Sequence, residues 1–282
     1  MIPLFDLHCD TLLCAYDSKK NIYNCNLHIS LDKVNIFSPY VQVAAIWSDY
    51  RLSDDEAFVK AVNVIKFYSE LGLNFIAKPT NKTINGFILG IEDAKLLNND
   101  ISRLDTLFSL GLRVLTLNWR DVSCIGGGYN TSFGLTEFGK LVVKRCAQLN
   151  IIIDLSHSSP EVFYDVLSLK NKYNFTPIAS HSNSFSVCSH KRNLTDEQFQ
   201  ALINAKSIVG LSLVNEFLGS DSNLKNIIKH TEHFLSLGGE NTLALGCDFD
   251  GTTNLPSGIT SISDLSKLYS LFTCEFGKKN YR

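Results

Sequence analysis

The 282-residue chain contains no Cys-x-x-Cys pair. Its cysteines, at positions 9, 14, 25, 124, 146, 188, 247 and 274, are scattered, and in a reducing compartment they are expected as free thiols. No apolar run approaches the ~20 residues that span a bilayer. No long block of one charge sign occurs and the formal net charge is −2, which argues against nucleic acid or an anionic membrane surface as partner. The N-terminus lacks a basic region followed by an apolar stretch and a small-residue cleavage site. These absences lead to the expectation of a cytoplasmic protein. No linker composition and no repeat interrupts the chain, so residues 1–282 are expected to form one domain.

What is present is periodic. Eight short, β-favouring apolar runs lie at 3–8, 41–47, 86–91, 113–117, 151–155, 177–180, 207–213 and 242–247. Most are continuously apolar, as strands buried on both faces are. Helical patterns fall between most of them, at 55–71, 102–110, 136–149, 196–205, 224–237 and 262–272, with Ser159-Pro160 reading as a helix start. The segment 18–40 is polar and Asn-rich, and is expected as a loop with a short helix. This alternation predicts an α/β fold, a parallel (β/α)8 TIM-type barrel. A doubly wound open sheet is the alternative, but it favours a Gly-rich turn after the first strand, and 6–11 contains no Gly.

Barrel active sites sit at the C-terminal ends of the strands. The first run ends in Asp6-Leu7-His8-Cys9-Asp10, the third in Glu92, the fifth in His157, the sixth in His181 and the eighth in Asp248 and Asp250. Imidazoles and carboxylates together suit a borderline divalent cation such as zinc. Three histidines and four carboxylates exceed the needs of one tetrahedral ion, and they fit two ions sharing a carboxylate and a water. That is chemistry for hydrolysing an amide or ester. Cys9, Cys188 and Cys247, beside these motifs, read as small buried fillers rather than thiolate ligands. His28, His190, His230 and His233 read as structural or solvated. The polar segment 181–195 carries Arg192, which position alone assigns equally to a substrate carboxylate or to a loop ion pair. The loop 124–133, with Gly126-Gly127-Gly128, reads as mobile and as a cover for the site.

These pieces, with Val187-Cys188-Ser189-His190-Lys191-Arg192-Asn193-Leu194-Thr195-Asp196, resemble the membrane (renal) dipeptidase family of two-zinc metallopeptidases. The matching motifs run from residue 6 to 251 in the family's order. The resemblance implies two Zn2+ per chain, one held by His8 and Asp10, the other by His157 and His181, with Glu92 bridging. It implies that Asp248 takes a proton from the shared water and passes it to the leaving amine, and that Arg192 holds a dipeptide's C-terminal carboxylate. It also implies a homodimer, and dipeptide substrates that can carry a D-residue on the C-terminal side.

Two departures stand out. The family's mammalian members place an oxyanion-stabilising His after the fourth strand; here Trp119 falls there, as in bacterial relatives. Trp donates one N–H and carries no charge, and losing an oxyanion donor costs on the order of 10²-fold or more. Asn118 or the second zinc is therefore expected to carry part of that role, in an enzyme that is slower or shifted in specificity. The chain also stops at Tyr281-Arg282, where the family continues, so an incomplete last helix is expected. Two other readings keep the metal site: an amidohydrolase acting on another small amide, lactam or lactone, and a metal-bearing scaffold without catalysis.

Overall fold

The computed structural model describes residues 1–77, 85–219 and 223–277. Seven strands form one curled sheet: β1 (Ile2–Cys9), β2 (Phe37–Trp47), β3 (Gly86–Glu92), β4 (Leu112–Thr116), β5 (Ile152–Asp154), β6 (Val209–Leu211) and β7 (Leu243–Leu245). Their order is β5-β4-β3-β2-β1-β7-β6, and every pairing is parallel. All of β3 is buried, as its unbroken apolar run requires at the middle of a covered sheet.

The helices are α1 (Thr11–Asp17), α2 (Asp54–Glu70), α3 (Ile101–Ser109), α4 (Glu137–Leu149), α5 (Pro160–Tyr173), α6 (Asp196–Asn204), α7 (Asn215–Leu218), α8 (Leu224–Ser236) and α9 (Leu265–Phe276). Local chemistry sets several starts. Ser53 and Glu56 form a capping box on α2, Thr136 caps α4, and Ser159 caps α5 with Pro160 in its first turn. Apolar periodicity does not announce α1 or α7, which have seven and four residues and no side-chain cap. Within 18–40 lies the short 3-10 helix Lys33–Ile36, and Phe37 already opens β2. None of the described helices is long and apolar enough to cross a membrane. The expectation about the chain end concerns residues 278–282, which lie outside the described residues.

Of the expected eight-stranded barrel, the structure shows a curled, parallel, seven-stranded sheet. The run 177–180 is not a strand. Ile178 makes a single parallel bridge to Asp154, and Ala179 makes one to Val209. The segment thus spans the gap between β5 and β6, the two ends of the sheet. Pro177 has no N–H for a ladder, and the Ser180 N–H donates to the Asp154 carboxylate instead of to a strand. Gly210 and Gly246 let the segment press in, because a Cβ on either would overlap the Ser180 carbonyl.

Asp154 secures this gap. Its buried carboxylate accepts from Thr116 Oγ1 (2.6 Å), the Ser156 N–H (3.0 Å), the Ser180 N–H (2.8 Å) and Ser180 Oγ (2.6 Å). Replacing one oxygen with an amide would set donor against donor. We expect Asp154→Asn to lower unfolding stability by about 2–4 kcal/mol, read from urea denaturation at unchanged m-value. A loss below about 1 kcal/mol would show that the gap is held by other contacts.

Candidate metal centre

The strand ends deliver the site. His8 lies within β1, Glu92 ends β3, and His157 follows β5 by three residues. His181 follows the segment between β5 and β6, Asp248 follows β7 by three residues, and Asp10 occupies the N-cap position of α1. Glu92 stands at the centre. Its Oε1 lies 2.9 Å from His157 Nε2 and 3.7 Å from His181 Nε2, while Oε2 lies 3.7 Å from His8 Nε2. His8 Nε2 is also 3.6 Å from Asp10 Oδ2 and 3.8 Å from Asp248 Oδ1. Two ligand-like trios result, Glu92–His157–His181 and His8–Asp10–Glu92, which share Glu92. A third grouping, His8–Asp154–His181, draws in a carboxylate already filled by four hydrogen bonds.

The charge balance shows what the cluster needs. Burial pushes the Glu92 carboxyl well above its usual range, against the attraction of His8. Burial likewise raises Asp248 to about 7, with Asp10 adding to the rise and His8 and Arg192 opposing it. Burial disfavours the charged form of His8, but Glu92, Asp10 and Asp248 outweigh it and raise the imidazole to about 10. Burial, with Arg192 and His8 adding, holds His157 and His181 well below the usual range, hence neutral and ready to donate lone pairs. His157 Nε2 and His181 Nε2 face each other at 2.8 Å, and His8 Nε2 has no hydrogen-bond partner among the described residues. Two neutral imidazoles, a third drawn toward the charged form by the acids around it, and buried carboxyls fit divalent cations in donor type, a cation taking the place of the proton on His8.

Asp6 and Asp154 fix the approach of these groups without joining them. Asp6 accepts from the His8 N–H (3.0 Å) and the Cys247 N–H (3.2 Å). Ser180 Oγ lies between Asp154 (2.6 Å) and His181 Nδ1 (2.7 Å), which orients that ring. His157, Asp248 and Asp250 have φ of 67°, 62° and 66°, a left-handed region that costs L-residues energy and recurs at functional sites.

Asp250, grouped by sequence with the rim carboxylates, does another job. It accepts from Thr11 Oγ1 (2.6 Å) and the His28 N–H (2.7 Å), and its own N–H donates to His28 Nδ1 (2.9 Å). It therefore pins the 18–40 segment to the rim. The reading of His230 as solvated is corrected: it is fully buried, accepting from the Ser184 N–H at 3.1 Å, with Nε2 3.3 Å from the Leu218 carbonyl. His233 pairs with Asp196 at 2.8 Å. The loop 124–133 is held in place, by the Gly127 carbonyl accepting from the Ser159 N–H (3.0 Å) and by a bridge from Gly128 to Ser158.

A cleft of about 430 Å³ opens over the centre. Arg192, 4% exposed, lines it, donating to the His181 carbonyl at 3.1 Å and lying over the rings of Phe217 and Tyr129. Trp119 lines it too, stacked on Tyr50 at 5.7 Å and set against Trp47 at 5.0 Å. Asn118 is fully buried, is not among the cleft-lining residues, and has neither amide atom paired among the described residues. Sequence reasoning missed Trp47 and Tyr129. Trp47 ends β2, so a strand-end search that included aromatics would have found it. Tyr129 arrives on a loop and carries no comparable mark.

A solved metallopeptidase described as dipeptidase AC superposes with a TM-score of 0.88 at 25% identity, over 98% of this chain and 92% of that one. A metallopeptidase from Rhodobacter sphaeroides, liganded with a phosphinate mimic of the dipeptide L-Ala-D-Ala, superposes at 0.87 and 25% identity, over 98% and 93%. An uncharacterised protein encoded in the pqqA 5′ region of Klebsiella pneumoniae is 32% identical over 193 residues, 63% of this chain and 69% of that protein. A profile of the membrane dipeptidase family matches residues 1–281, and the chain belongs to that family, peptidase family M19.

Proposed function

We propose that the protein is a zinc-dependent dipeptidase holding two Zn2+ per chain. The observation that carries this is Glu92, whose two oxygens face separate imidazole groups. His8 and Asp10 would hold one ion, His157 and His181 the other, and Glu92 both. Bound there, two divalent ions supply an acidified water and a polarised carbonyl.

The remaining work belongs to the chain. Asp248, 3.8 Å from His8 at the cluster's edge, would take the proton from the attacking water and return it to the leaving amine. A carboxylate this close to the cluster is the chemical type that takes and returns a proton in general acid–base catalysis. Arg192 keeps its guanidinium charged and buried at the cleft wall, where it can fork onto a substrate's C-terminal carboxylate. Trp119 adds an apolar aromatic surface to the lining and so shapes the cleft. The cleft's volume of about 430 Å³ lies in the range of small-molecule sites and has room for a dipeptide. The R. sphaeroides relative, crystallised with a dipeptide mimic, supports the same substrate class.

Protein purified without chelator should carry near two zinc ions per chain and cleave L,L- or L,D-dipeptides. Stripping the metal should abolish cleavage and lower Tm, both restored by Zn2+. Metal-free protein with undiminished turnover would end the reading. A C-terminally amidated dipeptide should be cleaved at least about 10²-fold more slowly than the free acid, because Arg192 is then left unpaired. Equal rates would take Arg192 out of its role. Trp119→His should raise kcat for at least one dipeptide by restoring a chargeable donor. Unchanged or lower turnover across the panel would show that the Trp is already the adapted residue.

A further inference from the structure

Beyond Arg192 lies a second cleft of about 310 Å³. It meets the first at three residues that line both, Tyr129, His157 and Arg192. The two clefts differ in charge balance: the first has six acids against the three cations Arg51, Lys60 and Arg192. The first is lined by Asp10, Asp17, Asp49, Glu92, Asp248 and Asp250. The second has no Asp or Glu in its lining and has two cations, Lys191 and Arg192.

Several features make the second cleft a place for negative charge. The N-cap residue of α6, Thr195, and Pro160 in the first turn of α5 are both in its lining, so two helix N-termini open there. The nearest acid on α6, Asp196, is engaged elsewhere, with His233 (2.8 Å) and Ser186 (2.9 Å). Three lining residues carry buried polar atoms with no hydrogen-bond partner among the described residues: His157 Nδ1, Ser158 Oγ and Arg192 Nε. Arg192 Nε can only donate, Ser158 can donate, and His157 Nδ1 carries the proton whenever Nε2 is the ligating nitrogen. Unspent donors beside two cations match an acceptor-rich anion.

We propose that this second cleft receives the side chain of the residue C-terminal to the scissile bond, and that Lys191 selects an acidic one there, aspartate or glutamate of either hand. This rests on the dipeptidase reading. A dipeptide held by Arg192 has its C-terminal residue at the boundary of the two clefts. Its side chain can turn away from the carboxylate-rich first cleft into the basic second one. Lys191 is exposed and lines the second cleft, so its long side chain can reach a side-chain carboxylate there from the solvent side.

The test compares kcat/KM for Ala-Glu with kcat/KM for its neutral isostere Ala-Gln, in L,L and L,D forms, within each protein. The zinc-loaded wild type should favour Ala-Glu roughly fivefold, the factor expected of one well-placed solvent-accessible ion pair. The ratio should fall to about one in Lys191→Met, invert in Lys191→Glu and persist in Lys191→Arg. High salt should compress the wild-type ratio. Because each ratio is internal to one protein, a variant that is partly unfolded still reports it. Cleavage of both substrates with the same ratio in all four proteins would overturn the subsite and leave the dipeptidase reading intact. Failure of the zinc-loaded wild type to cleave any dipeptide would overturn both.

Discussion

The Glu92 carboxylate, buried between imidazoles, is the constraint on which the rest depends. One oxygen lies 2.9 Å from His157 and the other 3.7 Å from His8. A carboxylate removed this far from water is costly unless positive charge is supplied close by. Arg192 supplies some, from beneath the cleft wall and at the expense of its own burial. The same crowding of buried acids draws the His8 imidazole toward its charged form and pushes the Asp248 carboxyl above its usual range. Glu92 can occupy this position because β3 is fully buried, with strands paired along both of its edges.

Around that centre a second tier of acids holds the backbone. Asp6 takes the N–H groups of His8 and Cys247, and Asp154 takes those of Ser156 and Ser180. In both cases one acid binds its own strand's end and the adjoining segment's, so two site-bearing turns are fixed by one carboxylate. Asp250 does the same for the long connection through His28. The left-handed backbone at His157, Asp248 and Asp250 persists under this bracing, since such conformations survive only where their surroundings over-determine them.

Much of this was legible in the sequence because strand ends are. Runs such as 86–91 and 41–47 are apolar without alternation, and the polar residue that follows each marks the rim. His8, Asp10, Glu92, His157, His181 and Asp248 were found that way, and the structure brings them together. What was not legible depends on partners far along the chain. His230 sits among polar neighbours in sequence, yet its partners are Ser184 and Leu218, and burial forces them together. The run 177–180 has strand composition, but Pro177 and the pull of Asp154 on Ser180 reduce it to two bridges. Asp250 shares a motif with Asp248, and only the fold shows that one faces the cluster and the other the 18–40 segment.

The distribution of unpaired polar groups joins stability to function. The buried side-chain atoms without a hydrogen-bond partner among the described residues belong to His8, Trp47, Asn118, His157, Ser158, Ser184 and Arg192. Trp47 ends β2, His8 is the last residue but one of β1, Asn118, His157 and Ser158 follow β4 and β5, and Ser184 and Arg192 lie between the 177–180 segment and α6. None lies at the opposite end of the sheet. Elsewhere the fold obeys the rule that buried polar groups find partners, and each exception costs about 1–3 kcal/mol. Random imperfection would scatter such costs over the molecule. Of the residues that carry them here, Trp47, His157, Ser158 and Arg192 line the two clefts beside the candidate metal centre, whereas Asn118 and Ser184 line neither.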